Sequence, residues 1–431
     1  MRNNYPARLA RKIKGFILLS TQRLWITFEL FNRNGLMNHA AACAYGFLLS
    51  AVPALLFISF IIYHIISISH QSLGVLLGRM EPVFGVFQAN DIIRNFLKTA
   101  NSGLAGLISV ISIFWTTRLC ALSTQRGLQV VFPGARSVIK NNAATLGLGL
   151  IAMFIVIVFI FGFSVIVVLI KSAASLSILA FAPILKHSLR IIIMICLAFI
   201  TLAAYRFFPA KPLSLKKMIP GVLICVVFQM IFTSAFSTLI NPDRYNLLYG
   251  TLGRLFLFLM NVYFFFVFFF FGAQFIKTLD IFDALFFIRF RQIHSKSDQA
   301  GKIMDKIFTA PDGPLKKYAR FYKKGETVFL INSDGEEVYY ILSGEAGVYL
   351  DTEFRDKIAT VDEKKFFGEM ASITEDVSKR RAASIKAQTD LSVLALPPAL
   401  FNVILQLDPD TDRRLIKTLS EQLKSINQLL H

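Results

Sequence analysis

Residues 252–276 read LGRLFLFLMNVYFFFVFFFFGAQFI, a run in which Arg254 is the one charged side chain. At about 1.5 Å per residue such a helix crosses a hydrocarbon core about 30 Å thick, where only a helix or a closed barrel satisfies its own backbone. Comparable apolar runs lie near 40–67, 103–124, 143–170, 189–208 and 219–240. Six transmembrane helices are therefore expected. Composition agrees: 55% of the 431 residues are hydrophobic and 17% are charged, against about 25% charged in an ordinary soluble domain. The stretch Tyr263–Phe271 is aromatic all around the helix and reads as a lipid- and core-packing surface rather than a ligand cage.

Orientation follows from where positive charge falls. Residues 1–38 carry Arg2, Arg8, Arg11, Lys12, Lys14, Arg23 and Arg33 around Phe16, Ile17, Leu18, Leu24, Trp25 and Phe28. This is the pattern of a basic amphipathic helix on the membrane face, without a signal-peptide cleavage pattern. Two alternate loops are also basic: 125–142, with Arg126, Arg136 and Lys140, and 209–218, with Lys211, Lys216 and Lys217. The positive-inside rule then puts the N-terminus in the cytoplasm, and an even number of spans returns the C-terminus there. The excess of 46 Lys and Arg over 27 Asp and Glu is assigned to topology and to anionic lipid head groups, not to nucleic acid. Cys43, Cys120, Cys196 and Cys225 all lie in apolar stretches without metal-ligand spacing, so neither a disulfide framework nor a metal site is expected.

Asn38-His39-Ala40-Ala41-Ala42-Cys43-Ala44-Tyr45, running on to Leu48-Leu49-Ser50-Ala51-Val52-Pro53, resembles the first-span signature of the YihY/virulence factor BrkB family. The resemblance continues through Ser109 to Trp115 with Arg118, and through Tyr205-Arg206-Phe207-Phe208-Pro209 with Pro220-Gly221. Tyr249-Gly250-Thr251-Leu252-Gly253 with Gly272-Ala273 extends it, so that it covers about 15–280. It implies an inner-membrane protein of transporter or permeability type. An older label for the family is ribonuclease BN. Phosphodiester hydrolysis needs metal-binding carboxylates or a histidine acid and base, whereas the spans hold almost no Asp or Glu and His39, His64, His70 and His187 stand singly. No enzymatic activity is expected. Asn261 stands where the family commonly has Trp, and Gln274 where it commonly has Glu, which removes any carboxylate role there.

Polar groups at bilayer depth are costly and face a partner or a cavity. Arg118, Gln229, Asn261 and Gln274 form the candidate membrane pathway, with Gln125 beside them and with Pro53 and Pro220 as helix-breaking positions that free carbonyls. The competing role of the amides is interhelical hydrogen bonding, and that of Arg118 is snorkelling to the cytoplasmic surface. Asn261 and Gln274 fall roughly 140° apart around one helix, so at most one faces a central cavity. Asn261, nearer mid-span, is preferred.

Residues 277–314 are basic, with Arg289, Arg291, Lys296, Lys302 and Lys306 among Ile and Phe, and end in Ala310-Pro311-Asp312-Gly313-Pro314. This reads as a helical connector closed by a proline-glycine break. From 315 onward, short β-rich runs alternate with turns at Lys324-Gly325, Ser333-Asp334-Gly335 and Ser343-Gly344, the rhythm of a β-roll or jelly roll. Phe366-Phe367-Gly368-Glu369-Met370-Ala371 and Arg381-Ala382-Ala383-Ser384-Ile385-Lys386-Ala387 resemble the cyclic-nucleotide-binding domains of catabolite activators and protein kinase A regulatory subunits, over about 315–431. The resemblance implies a ligand pocket of Gly368, Glu369, Met370, Ala371, Arg381, Ala382 and Ala383. In it Arg381 meets the cyclic phosphate, the Ala382 N–H points at the same oxygens, Glu369 accepts the ribose 2′-hydroxyl and Gly368 lets the backbone close in. A permanently charged, forked guanidinium suits a buried phosphate monoanion. Ala382 stands where cyclic-GMP-preferring members often have Thr, which leans toward cyclic AMP. The link Ser372–Arg380 is longer than the family's usual one, and three outcomes stay open: a harmless bulge, a shift of Arg381 away from the phosphate, or a domain that keeps the fold without the ligand. Asp410–His431 carries Leu415, Leu419, Leu423, Ile426 and Leu430 at helical spacing, as a lid, a dimer coiled coil or both.

The expected architecture is a membrane all-α domain of six transmembrane helices plus a cytoplasmic β-roll or jelly-roll domain with flanking helices. Its divisions are 1–38, 39–276, 277–314 and 315–431. The expected function is that of an inner-membrane transporter-like protein regulated by a cytoplasmic cyclic nucleotide, cyclic AMP before cyclic GMP, with no cofactor. Its partners are the lipid bilayer and a second copy of the chain. The alternative is a β-roll that binds no nucleotide and dimerises or scaffolds the membrane domain.

Overall fold

The computed structural model describes residues 5–49, 103–133, 182–207, 214–239, 242–295, 313–373 and 380–409. The expected span at 143–170, most of the link 372–380, Pro53 and the terminal helix 410–431 lie outside the described residues. The chain divides into two compact units, 27–277 and 1–26 with 278–431.

The first unit is helical. Its elements are the end of α1 (Tyr5–Arg33), α2 (Leu36–Leu49), α3 (Gly103–Val131), α4 (Ala182–Phe207), α5 (Leu215–Leu239) and most of α6 (Pro242–Asp280). Gly35, at φ +62°, is the left-handed residue that ends α1 and starts α2. Among the described residues two helical stretches, Leu215–Phe236 and Leu259–Asp280, are long and apolar enough to cross a membrane. Ile111, Trp115 and Leu119 on α3, Ile191, Ile195 and Phe199 on α4, and Leu215, Ile219 and Leu223 on α5 are all exposed. Each set repeats every fourth residue, so each helix turns one apolar stripe outward, an arrangement that water penalises and hydrocarbon does not. Inward, α5 and α6 meet through glycine: a Cβ on Gly272 would lie 2.5 Å from the Gly221 carbonyl and 2.6 Å from the Tyr205 hydroxyl. Small residues let two backbones approach this closely. The Tyr205 hydroxyl donates to the Phe269 carbonyl at 2.6 Å. In the aromatic run of α6, Phe266, Val267, Phe269 and Phe270 are buried and Phe264 stacks on Phe232 at 4.3 Å.

The second unit is built around two four-stranded antiparallel sheets. Its strands are β1 (Ala319–Tyr322), β2 (Thr327–Phe329), β3 (Val338–Ser343), β4 (Ala346–Tyr349), β5 (Lys357–Val361), β6 (Phe366–Phe367), β7 (Ser384–Ala387) and β8 (Leu391–Leu396). They pair in the orders β1-β8-β3-β6 and β2-β7-β4-β5. Ile341, Phe367, Val393 and Ala395 from one sheet and Ala346, Val361, Ile385 and Ala387 from the other share one apolar core. The turn glycines have a backbone reason: Gly325 and Gly344 sit at φ +85° and +92°.

Among the described residues this unit also holds residues 5–26 of α1, the last residues of α6, a 3-10 turn at Pro314–Tyr318, and α7 (Phe282–Ser295), the single turn α8 (Met370–Ile373) and α9 (Pro398–Leu407). Strand β3 is buried from Val338 to Ile341 without alternation, because α7 packs on its outer face at Tyr340. Phe287 of α7 meets Tyr340 at 5.2 Å and Phe366 at 6.1 Å, and Phe366 meets Phe401 of α9 at 5.6 Å. Asp283 accepts from Lys317 Nζ at 2.6 Å and from the Tyr318 hydroxyl at 2.8 Å. Arg291 pairs with Asp408, both buried. The segment expected as a basic helical connector contains α7, and this helix docks on the β-roll through an aromatic face. Also, α1 ends at Arg33 rather than 38 because the Asn34-Gly35 turn stops it.

Candidate functional site

Arg381 directly precedes the turn into β7, and the chain grips it by its backbone. Its N–H donates to the Ser333 carbonyl at 3.0 Å and its carbonyl accepts from the Asn332 N–H at 2.9 Å. Asn332, at φ +62°, shapes the β2–β3 turn that wraps this point. The guanidinium lies inward, 3% exposed, with Nη1 donating to the Gly368 carbonyl and Nη2 to the Glu337 carbonyl, both at 2.9 Å. Its carbon sits 4.2 Å over the Phe329 ring and 5.7 Å from the Tyr339 ring. A desolvated cation over a ring of this kind gains about 2 kcal/mol. Gly368, at φ +79°, comes so near that a Cβ there would stand 2.8 Å from Nη1.

Glu369 follows immediately and opens the turn into α8. It is 3% exposed, and its Oε2 has no hydrogen-bond partner among the described residues. Burial raises its pKa above the ordinary carboxylate range, opposed by its own backbone N–H and by the Arg381 charge. An open acceptor oxygen and a buried forked cation thus stand at the two sides of one turn. Behind them Tyr339 and Phe367 are cross-strand neighbours stacked at 5.0 Å. Glu337 accepts from Arg320 at 2.6 Å and from the Tyr339 hydroxyl at 3.1 Å. Burial first, then the Glu337 carboxylate, pushes the Tyr339 phenol up to about 12.

Of the other residues read from the sequence, Ala371 is buried, Ala383 half-buried, and Met370 and Ala382 exposed. Arg380 is exposed while Arg381 is buried. Phe329, Gly335 and the Glu337 carbonyl around the guanidinium were not singled out for this site by sequence reasoning. Phe329 looks like any apolar strand residue, Gly335 like a turn residue, and a backbone carbonyl leaves no mark in sequence.

In the membrane unit the structure joins two of the four pathway candidates. Gln229 Nε2 donates to Asn261 Oδ1 at 2.9 Å, while Gln229 Oε1 is buried without a partner among the described residues. Gln274 is elsewhere, accepting from Asn34 Nδ2 at 3.1 Å, and Arg118 lies 5.9 Å from the exposed Trp115 ring. Gln125 is buried. Among the described residues no group of His, Cys, Asp and Glu is placed to hold a metal ion.

Two family profiles match the sequence: Virulence factor BrkB over residues 27–282 and Cyclic nucleotide-binding domain over 319–408. Solved structures similar to the chain include cAMP-bound PfPKA-R (141–441), at 27% identity over 26% of this chain and 36% of that one, with a TM-score of 0.23. Another is the catabolite activator protein of Thermus thermophilus, at 23% identity over 27% of this chain and 55% of that one, with a TM-score of 0.24. The chain thus covers less than two thirds of either structure. No curated protein matches it.

Proposed function

Since the chain belongs to the Virulence factor BrkB family and carries a cyclic nucleotide-binding domain, we propose that it is an inner-membrane, transporter-like protein regulated by a cytoplasmic cyclic nucleotide. Six spans with both termini in the cytoplasm fit the apolar runs and the basic loops. The observation that carries the regulatory reading is the pairing, at one turn, of a buried forked cation with a buried acceptor that has an open oxygen: Arg381 and Glu369. In this reading Arg381 takes the cyclic phosphate and Glu369 the ribose hydroxyl, with Gly368, Met370, Ala371, Ala382 and Ala383 around them. The small Ala382 favours cyclic AMP over cyclic GMP.

Regulation needs a ligand that binds one arrangement of the β-roll better than another. Ile281 alone separates α6 from α7, and α7 docks on Phe366, two residues before Gly368. The transported solute would pass Gln229 and Asn261, with Arg118 and Gln274 further along. A second copy of the chain pairs through 410–431, and anionic lipid meets the basic N-terminal helix.

One observation favours a second reading, a nucleotide-free scaffold: the guanidinium already has two carbonyl partners. Calorimetric titration of the full-length protein in lipid nanodiscs with cyclic AMP and cyclic GMP separates the two. The regulatory reading expects saturable heat with cyclic AMP binding tighter. No heat with either ligand leaves the scaffold.

A further inference from the structure

Gly335 sits in the β2–β3 turn without a backbone need for glycine. Gly325, Gly344 and Gly368 all have positive φ, whereas Gly335 does not, so an L side chain suits its backbone. What a side chain there would meet is Arg381. A Cβ at Gly335 would stand 3.0 Å from Nε, 3.0 Å from Nη2 and 3.4 Å from Cζ, and these are its three nearest neighbours. An atom equidistant from both nitrogens and farther from the carbon between them lies in the guanidinium plane, outward from the Nε–Nη2 edge. Above the plane it would be nearer the carbon. That edge is one of the two through which a guanidinium offers two parallel donors. Nε is buried and has no partner among the described residues.

We propose that Gly335 is a positioning residue of the nucleotide site: its missing side chain lets the Arg381 guanidinium sit inside the β2–β3 turn, held by the Glu337 and Gly368 carbonyls. The inference rests on the reading of Arg381 as the phosphate ligand. An alanine at 335 displaces the guanidinium by a few tenths of an ångström, stretching two 2.9 Å hydrogen bonds and loosening the cation that must meet the phosphate. It leaves the turn itself intact, because alanine at a permissive φ restricts the unfolded chain without straining the folded one.

The test compares wild type, Gly335→Ala and Asp334→Ala in the full-length protein in nanodiscs, by calorimetric titration with cyclic AMP and by thermal unfolding without nucleotide. Gly335→Ala is expected to weaken cyclic AMP binding tenfold or more while its nucleotide-free midpoint stays within about 2 °C of wild type or rises. The exposed neighbour Asp334→Ala is expected to bind like wild type. Wild-type binding with an unchanged Gly335→Ala affinity overturns the inference and leaves the pocket standing. A loss in Gly335→Ala accompanied by a large fall of the nucleotide-free midpoint, or an equal loss in Asp334→Ala, also overturns it, because the glycine then serves the turn. No wild-type binding to either cyclic nucleotide overturns the pocket and the inference together.

Discussion

Arg381 and Arg380 are adjacent in sequence and opposite in environment. The first is buried with two carbonyl partners and a ring beneath it, and the second is exposed. If Arg381 pairs with the phosphate, Arg381→Ala should cost roughly 2–5 kcal/mol of cyclic AMP binding. Glu369→Ala should cost about 1–3 kcal/mol, since it removes one hydroxyl contact. Calorimetry of the full-length protein should also find Arg380→Ala close to wild type. The Glu369 carboxyl adds a pH signature. Because burial raises its pKa, acidification neutralises the acceptor before ordinary surface carboxylates titrate, and cyclic AMP affinity should fall over that range. Linkage has a definite sign: the ionised, buried carboxylate destabilises the fold. Its cost is absent below the unfolded-state pKa, grows as pH rises, and is full above the raised folded-state value. Glu369→Gln should remove the dependence from both binding and unfolding curves.

At the scale of elements, helix α7 is held to the β-roll by Phe287 against Tyr340 and by the buried Arg291–Asp408 pair. Removing one partner strands the other charge, so Arg291→Ala should lower stability by about 3–5 kcal/mol. The joint replacement Arg291→Met with Asp408→Leu should be close to neutral, as read by chemical denaturation. In the membrane unit, Asn261→Leu removes the amide that Gln229 contacts and should cost about 1 kcal/mol, recovered in Asn261→Leu with Gln229→Leu. If the pair also lines a pathway, the double variant regains stability without regaining flux. The docking of α7 shows where sequence reading stops. The basic residues of 277–314 are visible in sequence and suggest a linker, but that Phe286 and Phe287 form a buried face depends on a partner, β3, more than 40 residues away. Strand β3 and its Gly344 turn were legible because apolar runs and a turn glycine are local signals. Arg381 and Glu369 were singled out through the resemblance of their two stretches to cyclic-nucleotide-binding domains. The cage of Phe329, Gly335 and the Glu337 carbonyl was not, because its members come from separate segments that the sheets bring together.

For the whole molecule, the proposed topology puts the β-roll and the basic loops on one side of the membrane. A membrane-impermeant thiol reagent applied from outside should modify cysteines introduced in 70–100 and 241–253, and none in 125–142 or at Ser333. External labelling at Ser333 would leave the pocket on the wrong side for a cytoplasmic ligand. A nucleotide bound between Glu369 and Arg381 should be felt by α7, the helix next in sequence to α6. Hydrogen–deuterium exchange of the full-length protein, with and without saturating cyclic AMP, tests it most directly. Exchange should slow in 366–371 and 380–387 and change rate in Phe282–Ser295, and Arg381→Ala should abolish all three effects. Identical exchange in all three segments with and without the nucleotide would contradict it.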